Sequence, residues 1–346
     1  MRKLSEYRFK VSHRIVVLSV VMIMIGGVTP LRAQEPADSL NQTDDQGRKQ
    51  GHWIKYFPEH EKQVMYDGYF KNDLPIGLLK RYTPDGKLQA EMDYAADGYT
   101  IQAKLYHPNG QLMATGGYIG KVKDGEWTYY NEAGKKTSHE GFKQGVSHGS
   151  FEEYYPSTGA TVNQLTWVDG VKQGPWIQQF ESGKLKLKAN YEKGHLEGDI
   201  TFYYPEGGVQ MKGQYVAGMK QGTWKYFLED GRLASIIGHK DGDVVSSVKV
   251  NGTFTEHYPG RIPSKVENYR NGKLDGDYLV YYKVGEWVVN ETTNKDGEVE
   301  RVEELKGQQL KMKANYVEGK LEGEVTYYKP DGSVDKVEKY VGGEKQ

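Results

Sequence analysis

The chain has 346 residues, 43 of them glycine and 27 tyrosine, and its formal net charge is −1. Cysteine is absent, which excludes disulfides, thiolate metal sites, cysteine nucleophiles and a lipid-anchored N-terminal cysteine. Glycine far above the usual ~7% with many aromatics excludes an ordinary α/β enzyme composition and a disordered chain, and points to short strands joined by tight turns.

In chain order, the first element is a targeting segment. Arg2, Lys3, Arg8, Lys10 and Arg14 precede an apolar run from Ile15 to Ile25, broken only by Ser19, and Ala33 follows as a cleavage point. Basic segment, short apolar core and small residue make residues 1–33 a signal peptide, too short for the ~20 apolar residues of a bilayer span. The sequence therefore implies export to the periplasm, the cell surface or the medium, with membrane association only through a retained signal segment. Cleavage leaves 40 Lys+Arg against 46 Asp+Glu, an acidic balance that excludes nucleic acid as a partner. Residues 34–50 are polar, without periodicity, and read as a disordered linker.

From residue 51 to 346 the chain repeats. Glycines two positions before an apolar residue recur at Gly51, Gly77, Gly125, Gly149, Gly174, Gly198, Gly222, Gly252, Gly276 and Gly323, mostly at steps near 24 residues. Ile101 fills the gap after Gly77, and a decayed unit around Val299 fits between Gly276 and Gly323. That makes about twelve units, and a period of this length means a solenoid or array.

Each unit reads as a β-hairpin. The apolar position holds Trp53, Trp127, Trp176 and Trp224 among others, and three residues on stands an aromatic column that includes Tyr130, Tyr154, Tyr203 and Phe227. A turn such as Pro84-Asp85-Gly86 follows, then an alternating strand ending in a second aromatic column that includes Tyr94, Tyr118, Tyr191, Tyr215 and Tyr316. Period two is the strand signature. A further glycine three residues later completes aromatic-x-x-Gly-x-x-x-Gly-x-apolar-x-x-Tyr. The segments 186–207 and 311–332 are near copies, whereas 232–251 and 285–309 break the rhythm, either as decayed units or as functional insertions. The expected fold is all-β: an elongated, single-layer antiparallel meander. Closure into a propeller is the other arrangement weighed, and two-stranded units are too thin for its blades.

These units resemble the MORN-repeat variant of bacterial proteins in the YwqK antitoxin (immunity) family, across essentially all of residues 51–346. The resemblance implies a non-enzymatic scaffold that works through protein contact, with an immunity role in the antitoxin case; this chain adds an export signal.

The residues offer little chemistry. No HExxH, P-loop, dinucleotide fingerprint or nucleophile elbow occurs. His139 and His148 have no third ligand at a familiar spacing, and Asp241-Gly242-Asp243 lacks the further ligands of a calcium loop. The recurring Asp-Gly pairs read as turn chemistry. The expectation is no catalytic residue, no metal and no cofactor. Aromatic doublets such as Tyr129-Tyr130 and Tyr226-Phe227 point to opposite strand faces, and one layer cannot bury both. Tyr130, Tyr154, Tyr203 and Phe227 are thus the candidate binding residues. They would contact a protein partner or, alternatively, sugar rings of a glycan or cell wall. Trp53, Trp127, Trp176, Trp224, Tyr94, Tyr118, Tyr191, Tyr215 and Tyr316 are expected to be structural.

Overall fold

The computed structural model describes residues 39–293 and 299–346. The signal peptide and the first part of the linker lie outside them. Leu40–Gln346 forms one compact unit, and its regular structure among the described residues is all strand.

From Gln42–Thr43 to Asp243–Lys249, neighbouring strands pair antiparallel in chain order, giving an open meander of 19 strand segments among the described residues. A second sheet of eight segments begins at Gly252–Tyr258. The array starts earlier than its expected first residue: Gln42–Thr43 pairs with Lys49 and Gln50, inside the stretch assigned to the linker.

Two backbone devices make the repeat. The start glycine of each unit sits at a break in the ladder, with φ between +60° at Gly77 and +107° at Gly276. There a bulge offsets the strand's two halves, a conformation that a side chain disfavours. Where Ile101 replaces the glycine, the pairing with Leu88–Tyr94 runs from Tyr94–Ile101 to Ala90–Leu105 with no shift, so the sequence exception is also the structural one. The second device is a two-residue link turn. Gln144-Gly145, Asp169-Gly170, Lys193-Gly194, Ala217-Gly218 and Asn271-Gly272 all have positive φ at both residues, the signature of type I′ hairpin turns.

Hydrogen bonds then tie unit to unit along both margins of the sheet. At the link turns, Gly145 N donates to Lys123 O (2.7 Å), Gly170 N to Ser147 O (2.9 Å), Gly194 N to Lys172 O (3.0 Å) and Gly218 N to Leu196 O (3.0 Å). At the opposite margin a tyrosine hydroxyl reaches the next unit's backbone: Tyr204 to Phe227 O (2.7 Å) and Tyr258 to Tyr281 O (3.1 Å). The Asp-Gly turns close as the sequence implies, with Asp97 accepting from the N–H groups of Tyr99 and Thr100 at 2.8 Å.

The two irregular stretches differ in kind. Between Gly242 and Gly252 lie six more residues than between Gly218 and Gly222, and Ser246 stands where the start glycine would be. Its pairing with Leu233–Lys240 slips by one residue between Val244 and Ser246, yet Asp243–Lys249 stays beside that strand to its end, and the first sheet stops there. The stretch 285–309, by contrast, is not a unit of the array, which corrects the unit expected around Val299. Lys273–Tyr281 pairs directly with Leu310–Val317, Gly276 opposite Tyr316. The rungs jump the gap: Gly319 N reaches Leu274 O at 2.7 Å and the Tyr282 hydroxyl reaches Tyr328 O at 2.8 Å. Among the described residues, Glu286–Thr293 and Val299–Lys306 pair only with each other, a hairpin looped out of the meander.

That hairpin is pinned by little. Trp287 Nε1 donates to Gly260 O (3.2 Å), and Arg261 pairs with Glu303 (2.9 Å) and stands 5.0 Å from the Trp287 ring. Its two ends meet, since a Cβ built on Gly307 would fall 3.9 Å from Gly285 Cα. Deleting residues 286–306 and joining Gly285 to Gly307 should therefore leave the array folded. The expected loss is of order 1 kcal/mol, the worth of an exposed ion pair and one ring contact. Urea unfolding checks this, and a loss of several kcal/mol would mean that the hairpin belongs to the core.

Candidate interaction surfaces of the array

One face of the first sheet carries the packed aromatics. Trp127 and Trp224 are 0% exposed. Each lies flat over the strand before it, which the residue eleven positions earlier allows: a Cβ on Gly116 would come within 2.3 Å of the Trp127 ring, and one on Gly213 within 2.2 Å of the Trp224 ring. The second aromatic column closes against the indoles edge-on, Tyr118 at 4.8 Å from Trp127 and Tyr215 at 5.3 Å from Trp224. Where the covering residue is smaller the slot fills: Ile200 is buried beside Ala189, and Val325 lies beside buried Ala314. Where Leu165 occupies the slot, Trp176 stays half-buried and its Nε1 donates to Asn163 Oδ1 at 2.8 Å. Trp53, Tyr94, Tyr191 and Tyr316 are half-buried, with Trp53 packing on Phe70, Tyr191 on Trp176 and Tyr316 on Tyr278.

A lysine column that sequence reasoning missed completes this face. Lys49, Lys123, Lys172 and Lys220 each stand two residues before a start glycine, with ammonium groups 4.9 Å from Trp53, 4.9 Å from Trp127, 5.0 Å from Tyr191 and 4.2 Å from Trp224. The residue between lysine and glycine caps the next link turn: Asp124 accepts from Gln144 N, Gln173 from Lys193 N and Gln221 from Asp241 N, at 2.9–3.0 Å. The signal was present as a recurring tripeptide, Lys-Gln-Gly or Lys-Asp-Gly, at 49–51, 123–125, 172–174 and 220–222.

The opposite face carries the candidate binding residues. Strand alternation places Tyr130, Tyr154, Tyr203 and Phe227 there, and all four are half-buried. Lys136 covers Tyr154, its Nζ 4.3 Å from the ring and 2.9 Å from the hydroxyl, and Lys212 stands 5.7 Å from Phe227. Cross-strand rows run between them. Asp67, Lys80, Glu91 and Lys104 alternate in charge over the early units. In the central units the same row reads Lys188, Thr201, Lys212 and Lys225 on neighbouring strands, and its three lysines are exposed.

The polar candidates sit in structural roles. His139 faces Glu126 (3.1 Å) and Thr128 (3.1 Å), and His148 faces Asp169 (3.2 Å). Asp241-Gly242 is a link turn whose carboxylate accepts from Gln221 Nε2 at 2.9 Å. Burial together with a nearby carboxylate raises two phenols: Tyr106, which donates to Glu91 at 2.8 Å, and Tyr129, near Glu140, are both pushed up to about 12. Their neutral forms are favoured by folding, so the associated stability is complete below the unfolded value near 10 and fades as pH rises from ~10 through ~12. Absorbance titration of tyrosinate should thus show a late-ionising group in the native protein, and Tyr106→Phe should remove part of it. Every phenol ionising near 10 would contradict the geometry.

The family model described as the MORN repeat variant matches residues 75–96, 172–193 and 196–217. Curated proteins include no match. Among solved structures, the crystal structures of TcdB2-TccC3 and of TcdB2-TccC3-Cdc42 are similar at 10% and 12% identity, each with a TM-score of 0.16. They cover 85% and 86% of this chain, which spans only 17% and 16% of those chains, and at such a TM-score the likeness carries no argument. The chain is therefore an open β-array in which three units match the MORN repeat variant, a non-enzymatic interaction-repeat type.

Proposed function

We propose that this protein is an exported scaffold that binds another protein along the face bearing Tyr130, Tyr154, Tyr203 and Phe227, in the manner of an immunity or antitoxin partner. The observation that carries this reading is the division of labour between faces: Trp127 and Trp224 are fully packed away on one, while on the other an aromatic column at repeat spacing stays half exposed. Beside it the Lys188, Lys212 and Lys225 row suits a polypeptide with acidic side chains, since long-range charge steers encounter and selects partners. Export rests on the basic-then-apolar start of the chain.

A pull-down from envelope extract tests this, comparing wild type with Tyr203→Ala, Phe227→Ala and Trp127→Ala after melting temperatures are measured. The aromatic variants of the open face should stay folded and lose ~2 kcal/mol or more of binding, as hot spots do. Retained capture by both sinks the assignment of this face. Capture by purified cell-wall glycan in place of protein would favour the sugar-binding alternative.

A further inference from the structure

We infer that the strand Asp243–Lys249 is a docking edge for a second copy of this chain, joined strand to strand about a two-fold axis. This strand ends the first sheet: among the described residues it pairs with Leu233–Lys240 alone, and the next strand, Gly252–Tyr258, pairs with Ile262–Arg270 instead. One side of its backbone therefore faces no ladder. Val244, Val245 and Val248 are 61%, 63% and 52% exposed, the first two being the most exposed of the large apolar side chains among the described residues.

An open edge rich in valine invites pairing, and proteins ordinarily blunt such edges with charge, short strands or cover. The other sheet ends in this array are blunted. At the start, Gln42–Thr43 covers Lys49–Phe57, aided by Asn41, which bonds His52 O and Ile54 N at 2.9 Å. At the end, Val334–Val341 carries Asp335, Lys336, Glu338 and Lys339, and is partly covered by Glu344–Lys345. Gly252–Tyr258 carries Glu256 and His257. Asp243–Lys249 alone among these keeps its interior free of charge.

Its sequence also selects the partner. Asp243-Val244-Val245-Ser246-Ser247-Val248-Lys249 pairs antiparallel with itself about Ser246: Asp243 opposes Lys249, Val244 opposes Val248, and Ser246 opposes Ser246. No like charges meet, and valine meets valine. Charge complementarity between the two ends of one strand is what a two-fold, self-complementary interface requires, and like charges directly opposite would disfavour it. Lys249 already holds Glu256 at 3.2 Å and also pairs with Glu267, so the valines and the backbone ladder carry the contact while the charges set its register.

The absence of native cysteine makes the test clean. Wild-type protein at roughly 100 µM should sediment at twice the monomer mass. Val244→Lys combined with Val248→Lys should weaken that association at least tenfold, with an unchanged melting temperature, because both side chains are exposed. Ser246→Cys should form a disulfide-linked dimer under mild oxidation, since directly opposed residues of an antiparallel pair lie ~4.5–5.5 Å apart, within disulfide reach. Thr158→Cys, on an exposed turn, supplies the background rate. A wild-type protein that stays monomeric overturns the inference. So does a dimer that survives the double lysine variant, or a Ser246→Cys chain that cross-links no faster than Thr158→Cys. A monomer whose double variant loses a foreign protein would assign the edge to another protein's strand and equally reject a second copy.

Discussion

Gly213→Ala should destabilise the protein by ~1–3 kcal/mol, the usual cost of forcing extra volume into a packed site. The backbone at Gly213 is ordinary strand, so no strain arises from φ; the obstacle is the Trp224 ring, 2.2 Å from where the new methyl would sit. Trp224→Ile alone should cost ~2–4 kcal/mol through lost burial and the cavity left behind. Part of that is offset because the buried Trp224 Nε1 has no acceptor among the described residues, and an unsatisfied donor is costly in place. The double variant should cost less than the sum of the two, since it recreates the Ala189 and Ile200 combination one unit earlier, where both side chains are buried. A coupling of at least ~0.5 kcal/mol in a double-mutant cycle is expected. Strict additivity would show that the two positions do not share one slot. Urea midpoints for the four proteins, with m-values checked for constancy, supply the measurement.

The second large effect separates tryptophans that look alike in the sequence. Trp127→Ala should cost ~3–5 kcal/mol, as removal of a fully buried large aromatic does. Its ring is 0% exposed, its Nε1 donates to Gly117 O at 2.9 Å, and Tyr118, Tyr129 and Lys123 close over it. Trp176→Ala should cost markedly less, ~1–2 kcal/mol on the area scale for a half-buried ring, because Leu165 already fills the space its counterparts occupy. Equal losses at the two sites would refute the slot argument, and the comparison needs only two single variants.

Much of the architecture was legible from the residues because it is local. A glycine at positive φ, an Asp-Gly turn and a period-two strand each depend on a few neighbouring residues, so eleven imperfect copies spell out the hairpin, the turns and the open meander. The Ile101 exception is legible for the same reason. Aromatic columns were visible too, and strand alternation alone set Trp127 and Tyr130 on opposite faces.

What the local pattern does not contain is which strand pairs with which, and what lies across the ladder. Val299 keeps a unit's approximate spacing, yet Leu310–Val317 takes the place beside Lys273–Tyr281, and 286–306 is left as a side hairpin. The burial of Trp127 and the half-exposure of Trp176 are decided by Gly116 and Leu165 on the preceding strand, not by anything within their own hairpins. Six extra residues before Gly252 look like a longer loop, and only the pairing shows that they end one sheet and bare an edge. The lysines share the tryptophan face by alternation, four residues before each apolar position, yet they read as solvated charges until the structure set their ammonium groups over the rings. Turn and strand propensities act over a few residues of one chain segment, whereas register, slot size and edge exposure arise between segments, where packing and hydrogen-bond satisfaction choose among strands of nearly equal propensity.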